Sequence, residues 1–204
     1  TGSRSSRILR HSEQLRLVVP ATEQGAGFMA AGYARSSGRV GVSIVTSGPG
    51  ATNSVTPVRD CQADSVPMVL ICGQVPRAAV GTDAFQEAPV FNIMAACAKY
   101  VVLLTDENKV EATVRSAFQI ARSGRPGPVV LDVPKDVQNA SVVFQGEGTL
   151  PLRGYRERVQ ELEEATISAE EAKDFFRLLA AAERPLIYAG GGVINSNAAG
   201  ELRA

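Results

Sequence analysis

The stretch "VGVSIVTSGPGATN" (residues 40–53) decides the fold. Residues 40–46 are a β-branched, almost continuously apolar run, as a strand covered on both faces must be. Gly48 and Gly50 then let the backbone bend sharply, and the residues after them open a helix. Strand, tight turn and helix recur on either side. "LRLVV" (15–19), "PMVLICG" (67–73), "KYVVLL" (99–104) and "PVVLDVP" (128–134) read as further strands. Helical stretches fall near 24–37, 50–63, 87–97 and 107–123. The last carries Val110, Val114, Phe118 and Ile120 or Ala121 at near-helical spacing and stops at Gly124. This alternation predicts an α/β, doubly wound parallel sheet with helices on both faces.

The pattern changes after "PVVLDVP". From Lys135 to about Ile167 the chain is polar and irregular, which reads as a linker. A new unit opens at "SAEEAKDFFRLLAAAERP", where Ser168 and Glu171 make a capping box. It continues into a strand, "PLIYAG" (185–190), and the loop Gly190–Gly192. One helix, one strand and the start of another helix cannot close a core, so a unit continuing beyond these residues is expected. The organisation is therefore 1–137 as one domain, 138–167 as linker, and 168–204 as the start of a second α/β domain.

The bulk numbers exclude several classes. The chain has 204 residues, 45% of them hydrophobic and 21% charged, which is a globular balance. Lys+Arg and Asp+Glu are equal at 21 each, so no basic field points to nucleic acid or an anionic membrane. No apolar run approaches the roughly 18 residues of a membrane span, and "TGSRSSRILRHSEQ" lacks the apolar core of a signal peptide. Cys61, Cys72 and Cys97 are odd in number and lack CxxC pairing, which reads as buried thiols in a reducing compartment. With a single histidine, His11, no metal site built wholly from this chain is expected.

Three places could carry chemistry. "TSGPGATN" (46–53), with Gly48, Pro49, Gly50 and Asn53, is either a plain tight turn or a ligand site whose glycines admit a close approach. It lacks the Lys-Ser/Thr ending of a phosphate-gripping loop. "AGGGVINSNAAG" (189–200) matches a dinucleotide turn only loosely, and a structural turn is the simpler reading. Glu23, in "PATEQGAGFMAAGYARSSG" (20–38), is either a first-turn acid favoured by the helix dipole or a functional carboxylate. In the second reading Gly25, Ala26 and Gly27 leave room for a ligand, and burial raises the acid's pKa so that it holds a proton for exchange.

Four segments occur in order: "TEQGAGFMAAGYARSSGRVGV", "VTSGPGATN", "CGQVPRAAVGTDAFQE" and "SGRPGPVVLDVPKDVQ". Together they closely resemble the catalytic subunits of the acetolactate synthase (acetohydroxyacid synthase) family, thiamine-diphosphate-dependent enzymes, from about Leu15 to Ala204. "GQVPRAAVGTDAFQE" discriminates most, because the first two motifs recur across thiamine-dependent decarboxylases and carboligases. The resemblance implies a pyrimidine-binding domain followed by the start of a central, FAD-associated domain. It implies decarboxylation of pyruvate and transfer of the hydroxyethyl unit to a second 2-keto acid such as 2-ketobutyrate, in branched-chain amino-acid synthesis. The cofactor serves as electron sink, and the protein orients it and tunes its proton.

The same resemblance implies roles for single residues. Glu23 would hydrogen-bond the cofactor ring nitrogen opposite the exocyclic amine, as the catalytic residue. Gly48, Pro49, Gly50, Asn53 and Gln86 would lie on the cofactor side. Pro76, Ala84, Phe85 and Lys135 would line the substrate channel, and Arg125 would contact FAD. For Arg125 and Lys135 a solvated charge is the plain alternative. Mg2+ ligands are expected outside these residues, since the family's Gly-Asp-Gly…Asn element is not among them. A homodimer or homotetramer with the site between subunits, and a regulatory subunit, are implied, with a bacterial cytoplasm, a plastid or a mitochondrion as location. These residues alone are not expected to turn over pyruvate. The family's Arg-His before the glutamate is Ala21-Thr22 here, and Phe28 and Ala31 stand for a His and a Glu, so a polar partner near the cofactor is expected to be missing. Two other readings remain: a thiamine-dependent carboligase or decarboxylase for a different 2-keto acid, and a non-catalytic relative acting as a binding module.

Overall fold

A computed structural model describes residues 15–146, 148, 155–164 and 166–203. The chain divides into two compact units, Thr1–Arg153 and Gly154–Ala204. In the first, strands β1 (Gly41–Val45), β2 (Met68–Gln74), β3 (Tyr100–Leu103) and β4 (Pro128–Pro134) form a parallel sheet in the order β1-β2-β4-β3. Val45, Cys72, Asp132 and Leu103 stand in one row across it. The inner strands β2 and β4 are buried almost continuously, with Val69, Leu70, Val129 and Val130 fully enclosed, as a sheet covered on both faces requires. The edge strand β1 departs from that expectation. Gly41, Ser43 and Val45 are buried while Val42 and Ile44 are exposed, so one of its faces is uncovered among the described residues.

Helix α1 (Glu23–Ser37) precedes β1 and packs on it through small residues. Gly27, Ala30, Ala31 and Ala34 form its buried face. A Cβ on Gly41 would lie 2.1 Å from the Ala30 carbonyl oxygen, so helix and strand approach to backbone contact. Gly38 closes α1 in the left-handed conformation (φ 68°), its N–H donating to the Ala34 carbonyl. Helices α2 (Pro49–Asn53) and α3 (Val55–Ala63) follow β1. The single helix expected over 50–63 is divided at Ser54, whose buried hydroxyl donates back to the Gly50 carbonyl at 2.9 Å. Helix α4 (Val90–Ala95) is shorter than the expected 87–97. Helix α5 (Val110–Arg122) buries Thr113, Ser116, Ala117, Ile120 and Ala121, whereas Val110, Val114 and Phe118 are half-buried. The contact stripe is thus turned from the expected one: small side chains bring the helix close to the sheet, and the larger ones flank the contact.

Three further expectations are corrected. Residues 15–19 form no strand, and Leu15, Leu17, Val18 and Val19 are exposed. The segment read as irregular contains α6 (Lys135–Asn139) and α7 (Tyr155–Glu164). In the second unit, α8 (Ala169–Ala181) begins with the expected Ser168–Glu171 capping box, but residues 185–190 form no strand. Apolar content alone does not make a strand. Its backbone needs a ladder partner, and none of the described strands pairs there, leaving Leu186 and Tyr188 exposed. Gly191 and Gly192 open α9 (Gly191–Asn195), followed by α10 (Ala199–Arg203). No helix among the described residues is long and apolar enough to cross a membrane. All three cysteines are free; Cys61 and Cys72 are buried, and burial pushes the Cys61 thiol up to about 11.

Candidate functional site

Because α1 packs back along the strand that follows it, its first residue lies at the edge where the parallel strands end. That edge is where open α/β sheets bind ligands. Glu23 is the first residue of α1, and Thr22 is its N-cap: the Thr22 hydroxyl accepts the Gly25 N–H at 3.1 Å, and its carbonyl accepts the Ala26 N–H at 3.0 Å. The residue that departs from the family pattern therefore has a polar task of its own. Asn53, the last residue of α2, donates its amide Nδ2 to Glu23 Oε2 at 3.1 Å. The half-buried carboxylate is held by that one bond, and Oε1 accepts no hydrogen bond among the described residues.

The glycines do less for a ligand than their spacing suggests. Gly27 is buried, and a Cβ there would lie 2.4 Å from Pro57 Cγ of α3; it is a packing glycine. Gly50 is crowded by the Thr46 methyl at 2.8 Å. Gly48 has φ 57°, and a Cβ on it would fall 2.4 Å from the Gln86 carbonyl oxygen. Backbone contact thus joins the 46–53 turn to the 81–87 loop. Gln86 and Asp83 in that loop are themselves left-handed at φ 59° and 57°, and Phe85 is 89% exposed at its tip. Glu87 closes the loop, its carboxylate accepting the N–H groups of Gly81 and of Ala84, the latter at 3.0 Å.

Pro76 leaves β2 at the same edge, and Lys135 leaves β4, exposed at the start of α6. Arg77 ties three strand exits together. Its Nε donates to Asp136 Oδ2 at 2.6 Å, and its Nη1 to the Thr105 carbonyl at 2.7 Å and to Glu107 Oε2 at 3.0 Å. Beneath the rim, Gln74 accepts the Val75 N–H and donates to the Ala88 carbonyl and to Asp132 Oδ2, the last two at 3.1 Å. Asp132 is 1% exposed, and its Oδ1 has no partner. Burial pushes its carboxyl up to about 6, against the lowering effect of the Gln74 bond. Sequence reasoning passed over Arg77, Glu87, Asp132 and Asp136. Arg77 and Glu87 lie inside the quoted "GQVPRAAVGTDAFQE", and Asp132 and Asp136 inside "SGRPGPVVLDVPKDVQ", which was the signal available.

Arg125 stands apart. It precedes β4, at the edge where strands begin, and donates to Ser65 Oγ at 2.8 Å and to the Ala63 carbonyl at 2.9 Å, closing the C-terminus of α3. The structure brings Glu23, Gly48, Pro49, Gly50, Asn53, Pro76, Ala84, Phe85, Gln86 and Lys135 to the strand-exit edge and leaves Arg125 at the other.

Residues 4–96 match the family described as "Thiamine pyrophosphate enzyme, N-terminal TPP binding domain". The similarity to acetolactate synthases runs further along the chain. It is 46% identical over 196 residues, 96% of its length, to the acetolactate synthase large subunit of Corynebacterium glutamicum. It is 44% identical over 191 residues to the mitochondrial acetolactate synthase catalytic subunit of Saccharomyces cerevisiae, and 43% over 189 to the chloroplastic acetolactate synthase of Arabidopsis thaliana. The chain spans 30%, 27% and 28% of these three relatives, less than a third of each. The motifs that carry the similarity supply the strand-exit edge: Glu23 at the head of α1, the Gly48 turn and the 81–87 loop.

Proposed function

We propose that this chain supplies the pyrimidine-binding side of a thiamine diphosphate site in an acetolactate synthase catalytic subunit. The observation that carries this reading is Glu23: a carboxylate at the strand-exit edge, one oxygen held by Asn53 and the other open, within a sequence shared with acetolactate synthases. A heterocycle with a ring nitrogen fits that open oxygen. When bound, thiamine diphosphate supplies the electron sink for decarboxylation of a 2-keto acid. The chain's own part is to hold and share a proton at Glu23 Oε1, while Asn53 fixes the orientation of the carboxylate. The 81–87 loop, with Phe85 and Gln86, shapes the approach to it.

Pyruvate as donor, pyruvate or 2-ketobutyrate as acceptor, and a homodimer or homotetramer with the site between subunits belong to this reading. So do channel roles for Pro76, Ala84, Phe85 and Lys135, and Mg2+ held by residues outside this sequence. An FAD contact at Arg125 belongs to it as well, at the opposite edge of the sheet from Glu23. The test is Glu23→Gln in the full-length protein. Acetolactate formation should fall by about 10²–10⁴, the range of a positioned acid–base group; near-normal formation rules the assignment out.

A further inference from the structure

We propose that Glu87 is a positioning residue for this site: its carboxylate organises the 81–87 loop and thereby holds Gln86 against Gly48. The inference rests on the reading of Glu23 given above and extends it to a residue that touches no substrate. At the start of the 81–87 loop, Thr82 donates its N–H and its hydroxyl to the Ala79 carbonyl, at 3.3 and 2.8 Å. Gly81, Thr82, Asp83, Phe85 and Gln86 are exposed, so no core packing orders them. Two of its non-glycine residues, Asp83 and Gln86, sit in the left-handed region, which a free loop does not hold without compensation. The compensation is the Glu87 side chain, folded back so that one oxygen accepts the Gly81 N–H and the other the Ala84 N–H. The amide of Gly81 first, then those of Ala84, Thr82 and Asp83, keep this carboxyl below its ordinary range, so the group is an anion in a ring of N–H donors.

What the loop then presents is specific. The Glu87 N–H donates to the Ala84 carbonyl at 2.9 Å, closing the turn with Phe85 and Gln86 outermost. The loop's exit is pinned where Gln74 Nε2 donates to the Ala88 carbonyl. The Gln86 backbone then lies where Gly48 alone can accommodate it. Gly48 caps α2, the five-residue helix that ends in Asn53, the residue bonded to Glu23. A contiguous path of backbone and side-chain contacts therefore runs from Glu87 through Gln86, Gly48 and Asn53 to Glu23.

The test compares Glu87→Ala and Glu87→Gln in the full-length, cofactor-loaded protein by amide hydrogen exchange, melting temperature and steady-state kinetics on pyruvate. Glu87→Ala should raise exchange at residues 81–84 by about 100-fold, with β2 and β4 unchanged, as expected when hydrogen bonds to a charged acceptor are lost. It should lower kcat by about 10- to 100-fold, the scale of a misplaced site group, with an unchanged melting temperature. Glu87→Gln keeps one acceptor oxygen but sets an NH2 against the second N–H, so it should recover only part of each loss. Unchanged exchange at 81–84 in Glu87→Ala overturns the proposal, as does an equal rise in β2 and β4 with a lower melting temperature, which marks a merely structural role. A wild-type protein without 2-keto-acid turnover defeats the functional reading, and the exchange measurement then still decides whether Glu87 holds the loop.

Discussion

Thr22 commits its hydroxyl to the backbone of the helix that Glu23 begins, and that commitment explains a residue the family pattern alone leaves unaccounted for. An N-cap side chain satisfies a donor that the helix cannot, and it fixes the direction in which the first residue leaves the cap. Thr22→Ala should lower stability by about 1 kcal/mol while Thr22→Ser stays near wild type, measured by denaturant unfolding. Asn53 works from the opposite side of the same group, holding Oε2 and leaving Oε1 open. Among the candidate site residues, Glu23 and Asn53 are joined by a direct side-chain bond, although they are 30 positions apart.

Among the elements, α1 is the one whose composition invites misreading. Its glycines and alanines suggest space for a ligand, yet its buried face shows a helix drawn close to β1 and to Pro57 of α3. Arg35, near its end, bonds Asp60 of α3 and Asp64, the residue that caps α3, at 2.8 Å each; exposed pairs of this kind add little beside the packing. Gly27→Ala would drive a Cβ to 2.4 Å from a proline ring atom that has little freedom to move. We expect a loss of about 1–3 kcal/mol, the usual cost of overpacking. Gly32→Ala on the same helix, where a Cβ meets nothing within 4 Å, should be neutral or slightly stabilising. A thermal melt of the two variants separates packing from intrinsic propensity.

At the scale of the whole molecule, a buried carboxylate sits in β4, one of the two inner strands of the sheet. Asp132 has a folded pKa of about 6, raised by burial above its ordinary value of 3.8. A raised acid binds its proton more tightly when folded. Its favourable contribution is complete below the unfolded pKa and is lost as pH rises through the folded one. The unfolding free energy should therefore decline between about pH 4 and pH 6 by an amount on the order of 3 kcal/mol from this group. Asp132→Asn should flatten that slope, read from urea unfolding across a pH series. Much of the molecule was legible beforehand, because strand periodicity, glycine turns and the helix cap are local and each leaves a mark within a few residues. From these the sequence by itself determined the α/β class, four of the six expected strands, the capping box at Ser168 and the set of motifs that bears the likeness to acetolactate synthases. Only the tertiary structure decided the rest: that β1 is an edge, that residues 15–19 and 185–190 lack ladder partners, that Gly27 packs on Pro57, and that Arg125 lies across the sheet from Glu23. Each of these depends on which distant segments meet, and a contact between residues 30 or 60 positions apart leaves no trace in local spacing.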